Sequence, residues 1–191
     1  HPLHRLTERR LNDDRNGRSF ERAGRLGHWI MAIPGVGSDP IQLMDSYRGA
    51  WKAAGHAGKP RIMMAVFMLC HEDREQALRI AKPHVEGHFA AIVEAMHEYE
   101  TGAPASTYKG YDVMRQRIAE QTLESQIECH AVFAGTPDDI IAQLTAFDDA
   151  VGGCDEVSMQ VNFFGLDIGV AEASVRLFGE TVIPHFNAQT G

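Results

Sequence analysis

Cysteine is scarce in this sequence. The 191 residues include three cysteines, Cys70, Cys129 and Cys154, and none of them forms the CxxC pair that is typical of zinc sites and redox dithiols. An odd number of thiols at long spacings also does not indicate a disulfide framework. We therefore expect a reduced protein of the cytoplasm that has no metal site.

Positive charge and long apolar runs are scarce as well. Lys and Arg number 18 against 26 Asp and Glu, which gives a net charge of −8, whereas a protein that binds nucleic acid needs a clustered basic surface. The longest apolar run extends from Ile62 to Cys70 and is far shorter than the roughly 18 residues of a membrane-spanning helix. No pattern of a secretory signal is evident. We expect neither nucleic acid nor a membrane among the partners.

Length and composition favour one domain with a sizeable core. Apolar residues make up 44% of the chain, but a complete (β/α)8 barrel takes roughly 250 residues. Residues 1–18 contain five arginines and little apolar periodicity, so we interpret them as a poorly specified leader before a domain over 19–191. Residues 101–130 read as a helical insertion in that domain.

Apolar runs predict three parallel strands. They lie near residues 29–33, 62–69 and 157–161, and the second is apolar on both faces, as in strands that helices cover on each side. Each strand is followed by a helical pattern. Right-handed crossovers would make the three strands neighbours in one parallel sheet. The sequence therefore predicts an α/β fold.

Capping residues mark where the helices begin. Ser19 can cap a helix that starts at Phe20, and Asp39 precedes a proline suited to the first helical position. Thr136 opens a further helix, which Gly152 ends. Helices are predicted over residues 20–26, 40–54, 74–99, 112–127, 137–151 and 170–182.

A series of short motifs, taken in order, resembles the luciferase-like flavin monooxygenases. The motifs are the run Ser19–Gly27, Ile33-Pro34-Gly35, Ala134-Gly135-Thr136-Pro137, Asp155-Glu156-Val157, Arg176-Leu177-Phe178 and Ile183-Pro184-His185-Phe186. The resemblance covers roughly residues 17–186 and is to the C-terminal half of the family. It implies a partial (β/α)8 TIM barrel, made of the C-terminal βα units. The family's first strands, which carry most flavin contacts and the usual catalytic histidine, have no counterpart.

The resemblance also implies flavin chemistry. Members of this family use reduced FMN, or in one branch the deazaflavin F420, together with O2 to oxidise organic substrates, and most are dimers or larger. We therefore expect a flavin, a small organic substrate, a flavin reductase and further copies of the chain as partners. In relatives, the segment before the serine-initiated helix binds the flavin phosphate and commonly reads Ser-Pro-Glu-Ser. Asn16-Gly17-Arg18-Ser19 stands there in this chain.

Candidate site residues lie at this helix start and at the strand ends. A helix N-terminus offers N–H donors to a phosphate, and chemistry in parallel α/β folds sits at the carboxyl ends of strands. The candidate cofactor-binding residues are Gly17, Ser19, Phe20, Gly35, Val36 and Gly37. The candidate substrate-pocket residues are His71, Asn162, Phe163 and Phe164. No catalytic residue is assigned.

Each candidate also has a structural interpretation. The glycines fit a turn that needs positive φ equally well, and Phe163 and Phe164 fit the core. His71 with Glu72 suggests an acid/base pair, but adjacent strand residues point in different directions, which favours the structural interpretation.

Two histidines and one cysteine are further candidates. His84 and His88 have the i, i+4 spacing of metal ligands, but no third ligand and no zincin glutamate accompany them, so packing is favoured. Cys70 at a strand end is a conceivable nucleophile, but without a base it reads as an apolar filler.

Two functional hypotheses remain open. The first is the C-terminal part of a flavin-dependent monooxygenase. The second is a non-catalytic half-barrel that binds flavin or dimerises to cover its core. A doubly wound enzyme is disfavoured, because the sequence shows neither a nucleotide-binding loop nor a nucleophile elbow.

Overall fold

The computed structural model describes residues 14–34, 39–102 and 111–188. Gly35, Val36 and Gly37 lie outside the described residues. Within the described part, the chain forms seven helices and four strands. In chain order these are α1 (Asp14–Leu26), β1 (Ile30–Ala32), α2 (Pro40–Ala53), β2 (Ile62–Cys70), α3 (Arg74–Gly102), α4 (Tyr111–Ala119), α5 (Leu123–Glu128), β3 (Val132–Gly135), α6 (Pro137–Val151), β4 (Glu156–Gln160) and α7 (Ile168–Asn187).

The chain divides into two compact units. The first contains the described residues up to 65 together with 147–158, and the second contains 66–146 together with the described residues from 159 onward. β2, α6 and β4 each run from one unit into the other. No helix in the described ranges has an apolar stretch long enough to cross a bilayer.

The first unit contains the parallel pairing of β1 with the start of β2. Ile30 lies opposite Ile62, and Ala32 lies opposite Met64. The buried members of these pairs, Ala32, Ile62 and Met64, form part of the core. The buried residues Met44, Tyr47 and Trp51 come from α2, at the i, i+3, i+7 spacing of one helix face.

The Tyr47 hydroxyl joins the segments that lead into β1 and β2. It lies 2.9 Å from the carbonyl oxygen of His28 and 3.3 Å from that of Arg61. Burial raises the pKa of Tyr47, so the hydroxyl keeps its proton and remains a hydrogen-bond donor. A buried hydroxyl without a partner would be costly, and these carbonyls remove that cost.

Helices α1 and α2 of the first unit make close contact at Gly24. Gly24 is buried, and a Cβ added there would lie 2.3 Å from the Tyr47 carbonyl oxygen and 3.0 Å from Ala50 Cβ. Only a residue without a side chain permits this approach. The glycine therefore sets how near the two helices come.

The second unit contains the parallel pairing of β2 with β3, from Phe67 opposite Val132 to Cys70 opposite Gly135. All four residues of β3 are buried. The peptide groups of Ala134 point away from β2, and the Gln143 side-chain amide of α6 bonds to both of them. Gln143 Nε2 donates to the Ala134 carbonyl at 3.0 Å, and the Ala134 N–H donates to Gln143 Oε1 at 3.2 Å.

A second side chain, that of Ser174, hydrogen-bonds to the edge of β2 opposite β3. The Cys70 N–H donates to Ser174 Oγ of α7 at 2.8 Å, and Ser174 Oγ also lies 3.6 Å from Met68 Sδ. Ser174 is only 1% exposed. Helix residues therefore satisfy polar groups that a neighbouring strand would otherwise bond. β4 also pairs with β2, but none of its residues is buried.

The structure confirms the α/β class and corrects three local predictions. The described residues form four strands instead of the three predicted, and β3 is the additional strand. α1 begins at Asp14, so Ser19 lies inside the helix and is not its N-cap. The helix predicted over 112–127 is two helices, because Thr122 caps a new one through a reciprocal pair of hydrogen bonds with Ser125.

We expect two glycine substitutions to change stability in opposite directions. Gly24→Ala should lower the free energy of unfolding by about 1–3 kcal/mol, because the methyl group overpacks the contact with Tyr47. Gly49→Ala in the same pair of helices should raise it by up to about 1 kcal/mol, since Ala favours the helix and nothing lies within 4 Å of the added Cβ. Urea unfolding of both variants measures this. Equal effects would contradict the close contact at Gly24.

Removing the Ser174 hydroxyl should also destabilise the fold. Ser174→Ala leaves the Cys70 N–H without a partner in a buried site, which costs about 1–3 kcal/mol. Urea unfolding tests this, and Ser158→Ala is the control because Ser158 is exposed. If both variants unfold at the same urea concentration, the Ser174 bond contributes nothing measurable.

Candidate functional site

A cavity of about 520 Å³ lies at the carboxyl end of β2, within the second unit. We call it the β2 cavity. Its walls come from the end of β2, from α3 and from α7. The lining residues are Leu69, Cys70, His71, Glu72, Ile80, Asp167, Gly169, Val170, Ala173, Ser174, Arg176, Leu177 and Glu180. This is the strand end at which parallel α/β folds carry their chemistry.

His71 is held in one orientation at the rim of the β2 cavity. Its backbone N–H donates to the Gly135 carbonyl at 3.0 Å. Its ring Nδ1 accepts a hydrogen bond from the Asp73 N–H at 2.9 Å. Because Nδ1 is an acceptor, the ring proton is on Nε2 in the neutral form. His71 therefore presents one N–H donor for a ligand.

The charged groups of the β2 cavity are mostly acidic. Glu72, Asp167 and Glu180 line it, and its one lining arginine, Arg176, pairs with Glu172 at 2.8 Å. Asp167 also caps α7, where it accepts from the N–H groups of the following turn. The carboxylates that line the cavity would repel a phosphate dianion bound there. Together with the apolar lining, they suit an uncharged organic molecule.

The Cys70 thiol is not set up as a nucleophile. Burial raises its pKa to about 11, so the thiolate is scarce at neutral pH. The side chain is buried at the end of β2. It packs as an apolar residue, in agreement with the favoured interpretation.

The loop after β4 holds the other predicted pocket residues, and none of them lines the β2 cavity. Asn162 is exposed, and Phe163 is buried with its ring 4.9 Å from that of Phe67. Phe164 is half exposed and has a φ of 43°, which is uncommon for a residue with a side chain. A Cβ on Gly87 would lie 2.3 Å from the Phe164 ring, so the ring rests directly on α3.

His84 and His88 have packing roles on α3. His84 Nδ1 lies 2.9 Å from the carbonyl oxygen of Phe164, to which it donates. The His88 ring lies 5.0 Å from the Phe67 ring, edge to face, and burial lowers its pKa. Among the described residues, no group of three or more His, Cys, Asp or Glu side chains could hold a metal ion. The i, i+4 spacing of His84 and His88 therefore places both side chains on one face of α3.

The predicted phosphate-binding residues belong to the first unit. Gly17, Ser19 and Phe20 all lie within α1. Because that helix begins at Asp14, the Phe20 N–H lies beyond the first turn and bonds within the helix. Ser19 is exposed and is the one of the three with a polar side chain.

A cavity in the first unit, also of about 520 Å³, lies at the amino end of β2. Three of its charged residues, Arg48, Lys59 and Asp155, already bond to the protein. Arg48 donates to the Val151 carbonyl at 2.6 Å and to the Gly153 carbonyl, and Lys59 pairs with Asp155 at 2.9 Å. In barrels this end contributes stability and the other end contributes catalysis. The β2 cavity is therefore the better candidate site.

Asp155 has a structural role at the amino end of β2. Its backbone N–H donates to the Ile62 carbonyl, and its carboxylate accepts from the Ile62 N–H, both at 2.9 Å. Burial alone would raise the pKa of Asp155, but the Ile62 N–H and the Lys59 ammonium lower it. The carboxylate therefore stays charged and fastens the start of β2.

Sequence reasoning missed the contribution of α7 to the β2 cavity. Ser174 and Arg176 come from this helix, and Asp167 is its N-cap. Asp167, two residues before Gly169, is a recognisable N-cap signal. Nothing in the local pattern indicates that α7 packs beside the end of β2.

Comparisons with known proteins point to one family. The model of the luciferase-like monooxygenase family matches residues 15–153. Among solved structures, the chain is similar to the monooxygenase RslO1 from Streptomyces bottropensis, with 24% identity over 89% of this chain and 45% of that chain, and a TM-score of 0.60. A comparison with curated proteins finds no match.

The descriptions of two further similar structures name a cofactor. One is the oxygenating constituent of 3,6-diketocamphane monooxygenase from Pseudomonas putida, in complex with FMN (18% identity, 87% of this chain, 45% of that chain, TM-score 0.61). The other is the coenzyme F420 dependent tetrahydromethanopterin reductase from Methanopyrus kandleri (18% identity, 89% of this chain, 48% of that chain, TM-score 0.53). The chain spans less than half the length of each of the three structures. These similarities confirm the predicted partial barrel.

Acid should destabilise the fold through two partly buried histidines, His88 and His130. Burial lowers the pKa of His88 and His130, so the unfolded chain binds more protons than the folded one as pH falls below about 6.5. The free energy of unfolding should therefore decrease in this range. His88→Phe keeps a ring but cannot titrate, and should make the decrease shallower.

Urea unfolding at about pH 7.5 and about pH 5.5, where carboxylates remain mostly ionised, measures this effect. His97→Phe is the control, because His97 lies on the same helix and is exposed. The same pH dependence in His88→Phe and the unaltered chain would exclude burial of His88 as a cause.

Proposed function

Because this chain belongs to the luciferase-like monooxygenase family, we propose that it supplies part of the active site of a flavin-dependent enzyme that oxidises a small organic substrate with O2. The observation that carries the proposal is the β2 cavity, which has an apolar wall and one oriented histidine at the carboxyl end of a parallel strand. The activity belongs to the assembled barrel, of which this chain is one part.

In this proposal the β2 cavity binds the substrate. The His71 Nε2–H donates a hydrogen bond to a substrate oxygen and orients it. Leu69 and Ile80 exclude water, which strengthens that hydrogen bond. The acidic rim repels anionic molecules, so the preferred substrate is neutral. Asn162, Phe163 and Phe164, which do not line this cavity, are proposed as a second boundary of the substrate region.

We propose a flavin or deazaflavin as the cofactor, on the basis of the family and of the two structural neighbours with FMN or F420 in their descriptions. When bound, the reduced ring supplies the electrons that activate O2. The Ser19 hydroxyl is the proposed phosphate contact, with Gly17 and Phe20 beside it and Gly35, Val36 and Gly37 as further backbone contacts. A flavin reductase is the proposed source of electrons, and the assembly is proposed to contain more than one copy.

A second candidate is a non-catalytic half-barrel that binds flavin. The side-chain bonds of Gln143 and Ser174 to strand edges favour it, because they let strands fold stably without a further neighbour. The two candidates differ in turnover. Reduced flavin consumption that depends on substrate supports the enzyme, and saturable flavin binding without it supports the non-catalytic protein.

A comparison of FMN with riboflavin tests the phosphate contact. We expect FMN to bind more tightly than riboflavin, and Ser19→Ala to weaken FMN binding about fivefold, equivalent to about 1 kcal/mol for one hydrogen bond. Riboflavin lacks the phosphate, so its affinity should not change. Flavin fluorescence quenching measures both, with Ser158→Ala as the control and the mass recorded by light scattering. An equal loss for both ligands would contradict the phosphate contact.

A further inference from the structure

Phe164 occupies a turn position that does not suit a phenylalanine. The Leu166 N–H donates to the Phe163 carbonyl at 3.3 Å, which closes a turn over residues 163–166. The two central residues of this turn, Phe164 and Gly165, have φ values of 43° and 69°. Gly, Asn and Asp predominate in turns with positive φ at both central positions, because a larger side chain costs free energy there. A requirement other than the turn therefore accounts for the ring at residue 164.

Burial in the core is not that requirement. Phe164 is 49% exposed, whereas its neighbour Phe163 is only 4% exposed. A core phenylalanine stabilises the fold in proportion to the apolar area that it removes from water, and Phe164 leaves about half of its surface in solvent. The core accounts for Phe163 but not for Phe164.

Two residues of α3 fix the Phe164 ring. Gly87 lies inside the helix, where glycine is less favourable than alanine, and a Cβ there would lie 2.3 Å and 2.5 Å from two carbons of the ring. His84 Nδ1 donates to the Phe164 carbonyl at 2.9 Å. An unfavourable turn residue and an unfavourable helix residue therefore act together to place one exposed ring.

The fixed ring stands beside the β2 cavity. On α3, Ile80 lines that cavity, and Ile80, His84 and Gly87 have the i, i+4, i+7 spacing of one helix face. On the other side of the turn, Asp167 also lines the cavity and follows Phe164 by three residues. Both chain segments that hold the ring therefore continue into walls of the cavity.

We propose that Phe164 is a fixed platform on which an aromatic ring of the substrate packs, and that Gly87 and His84 are its positioning residues. This inference rests on the proposed function and specifies its substrate class as uncharged organic molecules that carry an aromatic ring. Two aromatic rings attract each other beyond the effect of the area that they bury. A platform that is already fixed loses little conformational freedom when a ligand binds.

Two alcohols of the same carbon skeleton test the platform. Benzyl alcohol and cyclohexylmethanol each carry one hydroxyl group for His71, and only the first has an aromatic ring. NMR titrations of the 15N-labelled 191-residue chain give the two dissociation constants. We expect benzyl alcohol to bind about threefold more tightly or better. The ratio of the two constants is the readout, because a loss of stability alone would not change it.

Variants assign the ratio to the platform. Phe164→Leu keeps an apolar side chain without a ring and should bring the ratio to about one. Gly87→Ala should lower the ratio because its methyl group displaces the ring, whereas Gly49→Ala, a helix glycine with nothing within 4 Å of the added Cβ, should not. His84→Ala should also lower the ratio, and His84→Gln, which keeps a donor, should restore part of it. Circular dichroism and the urea midpoint establish that each variant folds.

The outcomes separate the platform from the proposed function. His71→Ala should weaken the binding of both alcohols alike, because it removes the donor to the hydroxyl and leaves the platform intact. If neither alcohol binds, the substrate cavity and the platform are both overturned. If both bind with equal affinity, or if the preference for benzyl alcohol persists in Phe164→Leu, the platform is overturned and the substrate cavity stands.

Discussion

The backbone hydrogen bonds of β2 are the constraint on which the described structure depends. A strand that is apolar and buried along most of its length cannot leave its N–H and C=O groups without partners. In the first unit β1 meets this requirement, and in the second unit β3 and the Ser174 hydroxyl meet it. The helix that carries Ser174, α7, also provides one wall of the β2 cavity.

Helix positions were largely predictable, because caps act locally. Asp39 does cap α2, accepting from the Ile41 N–H at 3.0 Å, and Thr136 exchanges hydrogen bonds with Asp139 at the start of α6. Ser19 failed as a cap because helical structure extends beyond it to Asp14. Residue type alone does not distinguish a serine at the end of a helix from one inside it.

Strand β3 and the α7 wall of the candidate site were not predictable for a different reason. β3 has four residues, and its peptide groups are satisfied by β2, distant in sequence, and by Gln143. A short apolar run after a helix shows neither partner. His71 was found from its place after a strand, whereas Asp167 and Arg176 enter the β2 cavity only through the packing of α7. The sequence shows which residues follow a strand or can cap a helix, but it does not show which distant segments pack together.

Gln143 ends the sheet by imitating a peptide unit. Its primary amide has the same donor and acceptor as the backbone amide it replaces, so a single side chain takes the place of a strand beside Ala134. Deamidation would convert this group into a carboxylate, which has no donor and carries a charge beside a residue that is 2% exposed. The Ala134 carbonyl would then lose its donor, so a change of one amide to a carboxylate would open the edge of β3 that Gln143 now closes.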